Sequence, residues 1–136
     1  MNPDAVLLMQ KKIWNAQDVW LAREIGLLKP KVRDGCSDYG LCQLIDSWIP
    51  GFSEVMRPHC DAHDDLYELG DFSGKTRREA DREFFKASIE VVERLGSSWS
   101  TRMALQMIRG LYYAGVRIGG PRLFKKSYSW GFGLNL

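Results

Sequence analysis

The fold is decided by the stretch from Cys60 to Asp81, CDAHDDLYELGDFSGKTRREAD. Gly70 and Gly74 bracket a short turn in its middle, and two helices joined by so short a turn pack antiparallel. His63 lies seven residues before Gly70 and Asp81 seven residues after Gly74. The two side chains are therefore predicted to face each other across the helical pair.

The first half of this stretch places a base, an acid and a phenol on adjoining faces of one helix. At about 3.6 residues per turn, His63 and Tyr67 share a face, and Asp64 is turned about 100° aside. Histidine titrates near neutral pH and can take a proton from water, while a carboxylate is a hard oxygen donor that suits calcium. The segment is thus a candidate site in which a base and a metal ligand stand side by side.

The motif C-x-x-H-D-x-x-Y from Cys60 to Tyr67, with the pair Ala80-Asp81 on a following helix, resembles the phospholipase A2 superfamily. It is most similar to the small phage, bacterial and parvoviral members. Upstream, residues 34–40, DGCSDYG, resemble the calcium loop of that family. The resemblance covers roughly residues 34–90.

The resemblance implies calcium-dependent hydrolysis of the sn-2 ester of glycerophospholipids. His63 would draw a proton from water, and Asp81, helped by Tyr67, would fix the tautomer of the histidine and stabilise its charged form. The remaining implied site residues are the calcium ligands Asp64, Gly35, Ser37 and Tyr39, of which the last three use main-chain oxygens, and a disulfide between Cys36 and Cys60.

Length and composition indicate one globular domain over residues 1–136. The chain is 45% hydrophobic and 26% charged, which is ordinary for a domain with its own core. Its 19 basic and 17 acidic residues give a net charge of +2, too balanced to indicate nucleic acid binding. The expected partner is a phospholipid membrane surface, with a protein partner through the tail at residues 122–136 as a further option.

The amino terminus has an acid before a short apolar run and lysines after it, the reverse of the charge order in a secretory signal. No export signal is therefore expected. No apolar stretch approaches the roughly 20 residues that span a bilayer. The expected location is a host or bacterial cytoplasm or a phage particle, with delivery to a membrane as a further option.

The predicted fold class is mainly α and phospholipase A2-like, built on two antiparallel helices that carry the His63 and Asp81 dyad. Around them we expect an amino-terminal helix, a metal-binding loop and a further long helix. The predicted helices run from Asn2 to about Leu28 with a break near Asn15, from Leu41 to Trp48, from Ser53 or Pro58 to Gly70, from Thr76 to Leu95 and from Ser98 to Val116.

The chain has three cysteines and five tryptophans. Three cysteines leave at least one thiol free, and three reduced cysteines are the alternative to the implied bridge. Cys42 is interpreted as core packing. The tryptophans are interpreted most simply as core or half-buried packing, and the alternative is that the apolar stretch Trp48-Ile49-Pro50-Gly51-Phe52 forms an exposed rim for a lipid interface.

Two other functions remain open. His59 and His63 lie four residues apart on one helix face, so with Cys60 they form a possible zinc site. The implied calcium loop is poor in glycine, which favours a catalytically silent binding module or phage structural component on the same scaffold.

Overall fold

The structure is a computed structural model that describes residues 2–30, 39–119 and 130–135. Within these ranges the chain is mainly helical, which confirms the mainly α part of the predicted fold class. The helices are α1 Pro3–Gln10, α2 Ala16–Glu24, α3 Tyr39–Trp48, α4 Phe52–Leu69, α5 Arg77–Ala87, α6 Ile89–Leu95 and α7 Trp99–Gly119. In the described part of the chain, none of these helices has the combined length and apolar character needed to cross a membrane.

The predicted helical pair is α4 and α5, joined by a short 3-10 turn at Gly70–Ser73. Gly70 ends α4 as predicted, and Gly74 adopts a left-handed backbone conformation with φ of 79°, which glycine adopts without steric cost. Thr76 then begins α5 by accepting a hydrogen bond from the amide of Glu79, whose side chain accepts from the amide of Thr76. Local signals in the sequence therefore fix this turn. At its other end, α4 begins at Phe52.

The amino-terminal segment forms two helices, α1 and α2, which confirms the break predicted near Asn15, although α2 ends at Glu24 and not at Leu28. Asn15 accepts a hydrogen bond from the amide of Asp18 at 2.9 Å, and Asp18 accepts from the amide of Asn15 at 3.1 Å. This reciprocal pair starts a new helix. In the break, the Trp14 ring stacks on Phe72 with centroids 4.2 Å apart.

The predicted helix from Thr76 to Leu95 is also two helices, interrupted at Ser88. The Ser88 hydroxyl donates to the Phe85 carbonyl at 2.8 Å. The Arg109 guanidinium of α7 donates to the same carbonyl at 2.5 Å. That oxygen would otherwise continue the helix, so these two contacts explain where α5 ends.

The core has two parts. The larger part is formed by residues of all five helices from α3 to α7, and its buried members are Cys42, Ile45, Phe52, Val55, Met56, Cys60, Phe84, Val91, Val92 and Leu105. The smaller part joins α1 and α2 to the segment after α2 through Leu8, Trp14, Ala22 and Leu28. Cys42 is thus a core residue as predicted.

The interpretation of the tryptophans as core packing is wrong for three of the five. Trp14 is buried, whereas Trp20, Trp48 and Trp99 are 65%, 77% and 77% exposed. Each of the three lies on the side of its helix that faces away from the core. Period alone does not show which apolar side of a helix is buried, and this is the reason for the error.

Residues 130–135 fold back onto the end of α4. The amides of Gly131 and Gly133 donate to the carbonyls of Tyr67 and Glu68 at 2.6 and 3.1 Å. These carbonyls belong to the last turn of the helix and have no partner within it. A Cβ on Gly133 would lie 2.1 Å from the Glu68 side chain, so the close approach requires glycine at this position.

Candidate active site

His63 and Asp81 lie together across the α4 and α5 pair. The His63 Nε2 atom is 2.8 Å from Asp81 Oδ1, and the two side chains are 7% and 0% exposed. The antiparallel packing of the helices brings them to this distance, as the spacing from Gly70 and Gly74 predicted. The geometry is that of a hydrogen-bonded histidine and carboxylate buried in the helical pair.

Tyr67 completes the group from the next turn of α4. Its hydroxyl donates to Asp81 Oδ1 at 2.5 Å, and its ring lies 4.3 Å from the His63 ring. Burial raises the pKa of Tyr67, and the neighbouring Asp81 raises it further. The phenol therefore stays protonated at neutral pH and acts as a donor to the carboxylate.

Two arginines outside the predicted site also reach Asp81. Arg117 of α7 donates to Asp81 Oδ2 at 2.7 Å, and Arg77 lies 3.6 Å from the same oxygen. Arg77 is four residues before Asp81 on one helix, so helical spacing could have identified it. Arg117 is 36 residues away, and no local pattern indicates that contact.

These contacts decide the charge of Asp81. Burial alone raises the pKa of the carboxyl, but hydrogen bonds from His63, Tyr67 and Arg117 outweigh burial, and the pKa of Asp81 is lowered overall. Asp81 is thus ionised at neutral pH and accepts hydrogen bonds only. It follows that His63 carries its proton on Nε2, which leaves Nδ1 as the basic nitrogen.

A cavity of about 120 Å³ lies beside His63, between α4 and α5. Apolar side chains, among them Leu66 and Phe84, form much of its wall, and Glu83 also lines it. The space is large enough to admit water next to the imidazole. A larger cavity of about 490 Å³ lies along the first turns of α4, where it is lined by Asp46, Glu54 and Arg57 among others, and His63 does not line it.

The implied calcium ligands are only partly within the described residues. Asp64 is half-buried on α4, directly after His63, and supplies the one carboxylate of the set. Tyr39 is the first residue of α3, so its carbonyl oxygen accepts a hydrogen bond within the helix. Calcium would have to bind this same oxygen. Gly35 and Ser37 lie outside the described residues.

Side-chain metal sites are a separate matter. Across residues 2–30, 39–119 and 130–135, no three or more His, Cys, Asp and Glu side chains are grouped to hold a metal ion. The implied calcium set is of another type, because it combines one carboxylate with main-chain oxygens, which are the hard ligands that calcium prefers.

The cysteines argue against the zinc site. Cys60 is disulfide-bonded, so its sulfur is not a thiolate that could bind zinc, and the alternative of three reduced cysteines is wrong. The side chain of His59 already contacts Glu90, with His59 Nε2 3.1 Å from Glu90 Oε1. Cys42 is a free, buried thiol. Cys36, the implied partner of Cys60, lies outside the described residues.

Comparison of the chain with protein-family models, with curated proteins and with solved structures finds no match. The chemistry of the site is therefore argued from its residues and their geometry.

Proposed function

We propose that the chain is a calcium-dependent esterase of the phospholipase A2 type, which hydrolyses the sn-2 ester of glycerophospholipids. The observation that carries the proposal is the buried contact between His63 Nε2 and Asp81 Oδ1 at 2.8 Å. With Nε2 committed to an ionised carboxylate, Nδ1 is a base that can take a proton from water. The cavity beside the ring offers room for that water.

In this mechanism, water attacks the ester carbonyl as His63 Nδ1 removes its proton. The imidazole becomes positively charged, and the Asp81 carboxylate, 2.8 Å away, stabilises that charge. Tyr67 holds the same carboxylate oxygen at 2.5 Å, which keeps the carboxylate oriented toward the ring. The proton then passes from His63 to the leaving alcohol, so no covalent intermediate with the protein is required.

Asp64, with main-chain oxygens of the preceding loop, would hold the calcium. When bound, calcium supplies positive charge that polarises the ester carbonyl. The role of the chain itself is to present one carboxylate beside the base, and residues 63 and 64 do so by their neighbouring positions on α4.

The test is calcium-dependent release of fatty acid from phospholipid vesicles. His63→Ala and Asp81→Asn should each lower the rate by at least about a hundredfold, since general-base catalysis contributes on that order or more. Asp4→Asn is the matched control, because it removes an exposed carboxylate on α1. Circular dichroism of each variant should show unchanged helix content. Release that persists at the parent rate in both dyad variants would reject the dyad.

The metal requirement has its own test. Calorimetric titration with calcium should show binding at millimolar concentration or below, and Asp64→Asn should weaken it by at least about tenfold, since the variant removes the charged ligand. Absence of any heat of binding at millimolar calcium would contradict the calcium role.

A second candidate is a catalytically silent binding module on the same scaffold. The ion pair of Asp81 with Arg117 at 2.7 Å favours it, because a carboxylate held by a guanidinium is also a structural element that joins α7 to α5. This candidate predicts no lipid hydrolysis by the parent protein and a loss of stability in Asp81→Asn. The vesicle assay therefore separates the two functions.

A further inference from the structure

A second histidine, His59, lies on α4 one turn before His63 and lines the same cavity of about 120 Å³. Side chains at this spacing share a helix face, with Cβ atoms about 5 to 6 Å apart. At roughly 30 Å³ for each water molecule, a cavity of about 120 Å³ holds about four. A small polar group in the cavity is therefore within reach of both rings.

Each of the two histidines is held by a carboxylate from another helix. His59 Nε2 lies 3.1 Å from Glu90 Oε1 on α6, and His63 Nε2 lies 2.8 Å from Asp81 Oδ1 on α5. In both rings Nδ1 is the remaining nitrogen. Two histidine and carboxylate pairs thus border one cavity, and the proposed function uses only one of them.

The two pairs differ in their exposure to solvent. The side chains of His63 and Asp81 are 7% and 0% exposed, whereas those of His59 and Glu90 are 18% and 43% exposed. A pair with this degree of exposure contributes little to stability. The contact between His59 and Glu90 therefore has small structural value, and the value of His59 lies in the cavity that it shares with His63.

We propose that His59 is a second catalytic residue, which relays a proton from His63 to the leaving alcohol of the ester. The proposal rests on the proposed function, because it concerns the second proton transfer of that reaction. A charged histidine donates from both ring nitrogens. With Nε2 of His59 directed at Glu90, Nδ1 is the donor that the alcohol oxygen can use.

The relay needs no proton beyond those that the reaction supplies. When the bond between the carbonyl carbon and the alcohol oxygen breaks, its electron pair goes to the oxygen, and charged His59 gives that oxygen a proton. The proton that His63 took from water then passes across the cavity to His59. His63 becomes neutral again and His59 regains its charge. One turnover thus consumes one water and leaves both rings as they began.

The leaving atom decides whether such a relay matters. An alkoxide is a strong base, comparable with the hydroxide of water, whose pKa is about 15.7, so an alcohol leaves readily only if it receives a proton. A thiol has a pKa of about 8.5, so it leaves as a thiolate without one. Replacement of the leaving oxygen by sulfur therefore separates a proton donor from a residue that acts only on structure.

The test compares two soluble short-chain phosphatidylcholines in calcium buffer, which differ only in oxygen or sulfur at the sn-2 bond to be broken. His59→Gln keeps an amide donor for Glu90 but cannot carry the proton. The variant should lower hydrolysis of the oxygen ester by at least about tenfold, and of the thioester by less than about twofold, since general acid catalysis serves only the first. Retained thioester hydrolysis also shows that the variant is folded.

Two further variants strengthen the comparison. Glu90→Gln should lower hydrolysis of the oxygen ester alone by about two- to fivefold, because an exposed carboxylate stabilises a charged partner only weakly. Glu93→Gln is the matched control, since it removes an exposed acid from the same helix. His63→Ala should lower hydrolysis of both substrates by at least about a hundredfold, because water must lose a proton in both reactions.

Equal loss of ester and thioester hydrolysis in His59→Gln would indicate a structural role and overturn the proposal. An unchanged rate on the oxygen ester would overturn it as well. Hydrolysis that requires His63 but not His59 would reject the relay and retain the proposed function. A parent protein that hydrolyses neither substrate would reject both.

Discussion

Asp81→Asn should destabilise the fold by about 3 kcal/mol at pH 7. The side chain keeps its shape but loses its charge, so the hydrogen bonds from His63 and Tyr67 end on a neutral acceptor, at a cost of about 1 kcal/mol each. The ion pair with Arg117, whose side chain is 30% exposed, contributes about 1 kcal/mol more, because partial exposure reduces the value of a buried pair.

The effect should depend on pH in a defined direction. Because the pKa of Asp81 is lowered in the folded protein, its carboxylate stabilises the fold above the unfolded pKa of about 3.9, and this contribution is lost as pH falls through the lower folded value. The difference in stability between parent and Asp81→Asn should therefore be full at pH 7 and smaller below about pH 4.

The assay is urea unfolding followed by circular dichroism at both pH values, with Asp4→Asn as the exposed control that should change stability by less than about 0.5 kcal/mol. A difference below about 1 kcal/mol at pH 7 would refute the stated energetics of the buried cluster. An equal difference at pH 7 and pH 3 would refute the assignment of a charged Asp81.

Three further variants test other contacts by urea unfolding. Tyr67→Phe should cost about 1 to 2 kcal/mol, because it removes the hydrogen bond to Asp81 but keeps the ring; no loss would contradict that bond. Gly133→Ala should cost about 1 to 3 kcal/mol and expose the tail to protease, because a Cβ meets Glu68. Gly115→Ala, in open space on α7, should instead be neutral or stabilising, and equal effects would contradict the close approach. Cys60→Ser should cost about 2 to 4 kcal/mol through loss of its disulfide, and an unchanged midpoint would exclude that bond.

The sequence predicts the central helical pair because its signals are local. Gly70, Gly74 and Thr76 mark the turn within a few residues of one another, and helical period then places His63 and Asp81 on facing sides. The same local signals therefore predict the contact between His63 and Asp81 across the helical pair. Its catalytic role stays a prediction.

The remaining features depend on residues distant in sequence. The break at Ser88 needs Arg109 from α7, 24 residues beyond Phe85, and the contact of Arg117 with Asp81 spans 36 residues. Neither leaves a periodic signal. For the same reason, the apolar residues of α7 do not reveal which of them remain outside the core.

The packing of residues 130–135 on α4 affects the order in which parts of the chain fold during synthesis. The helix that bears His63 and Tyr67 leaves the ribosome long before Gly131 and Gly133 are made, so its last carbonyls bond to solvent during that interval. Arg117 also follows Asp81 by 36 residues. Nascent chains should therefore hold the His63 and Asp81 pair loosely until translation has passed both elements, and the pair should become fully ordered only after residues 130–135 have packed on α4.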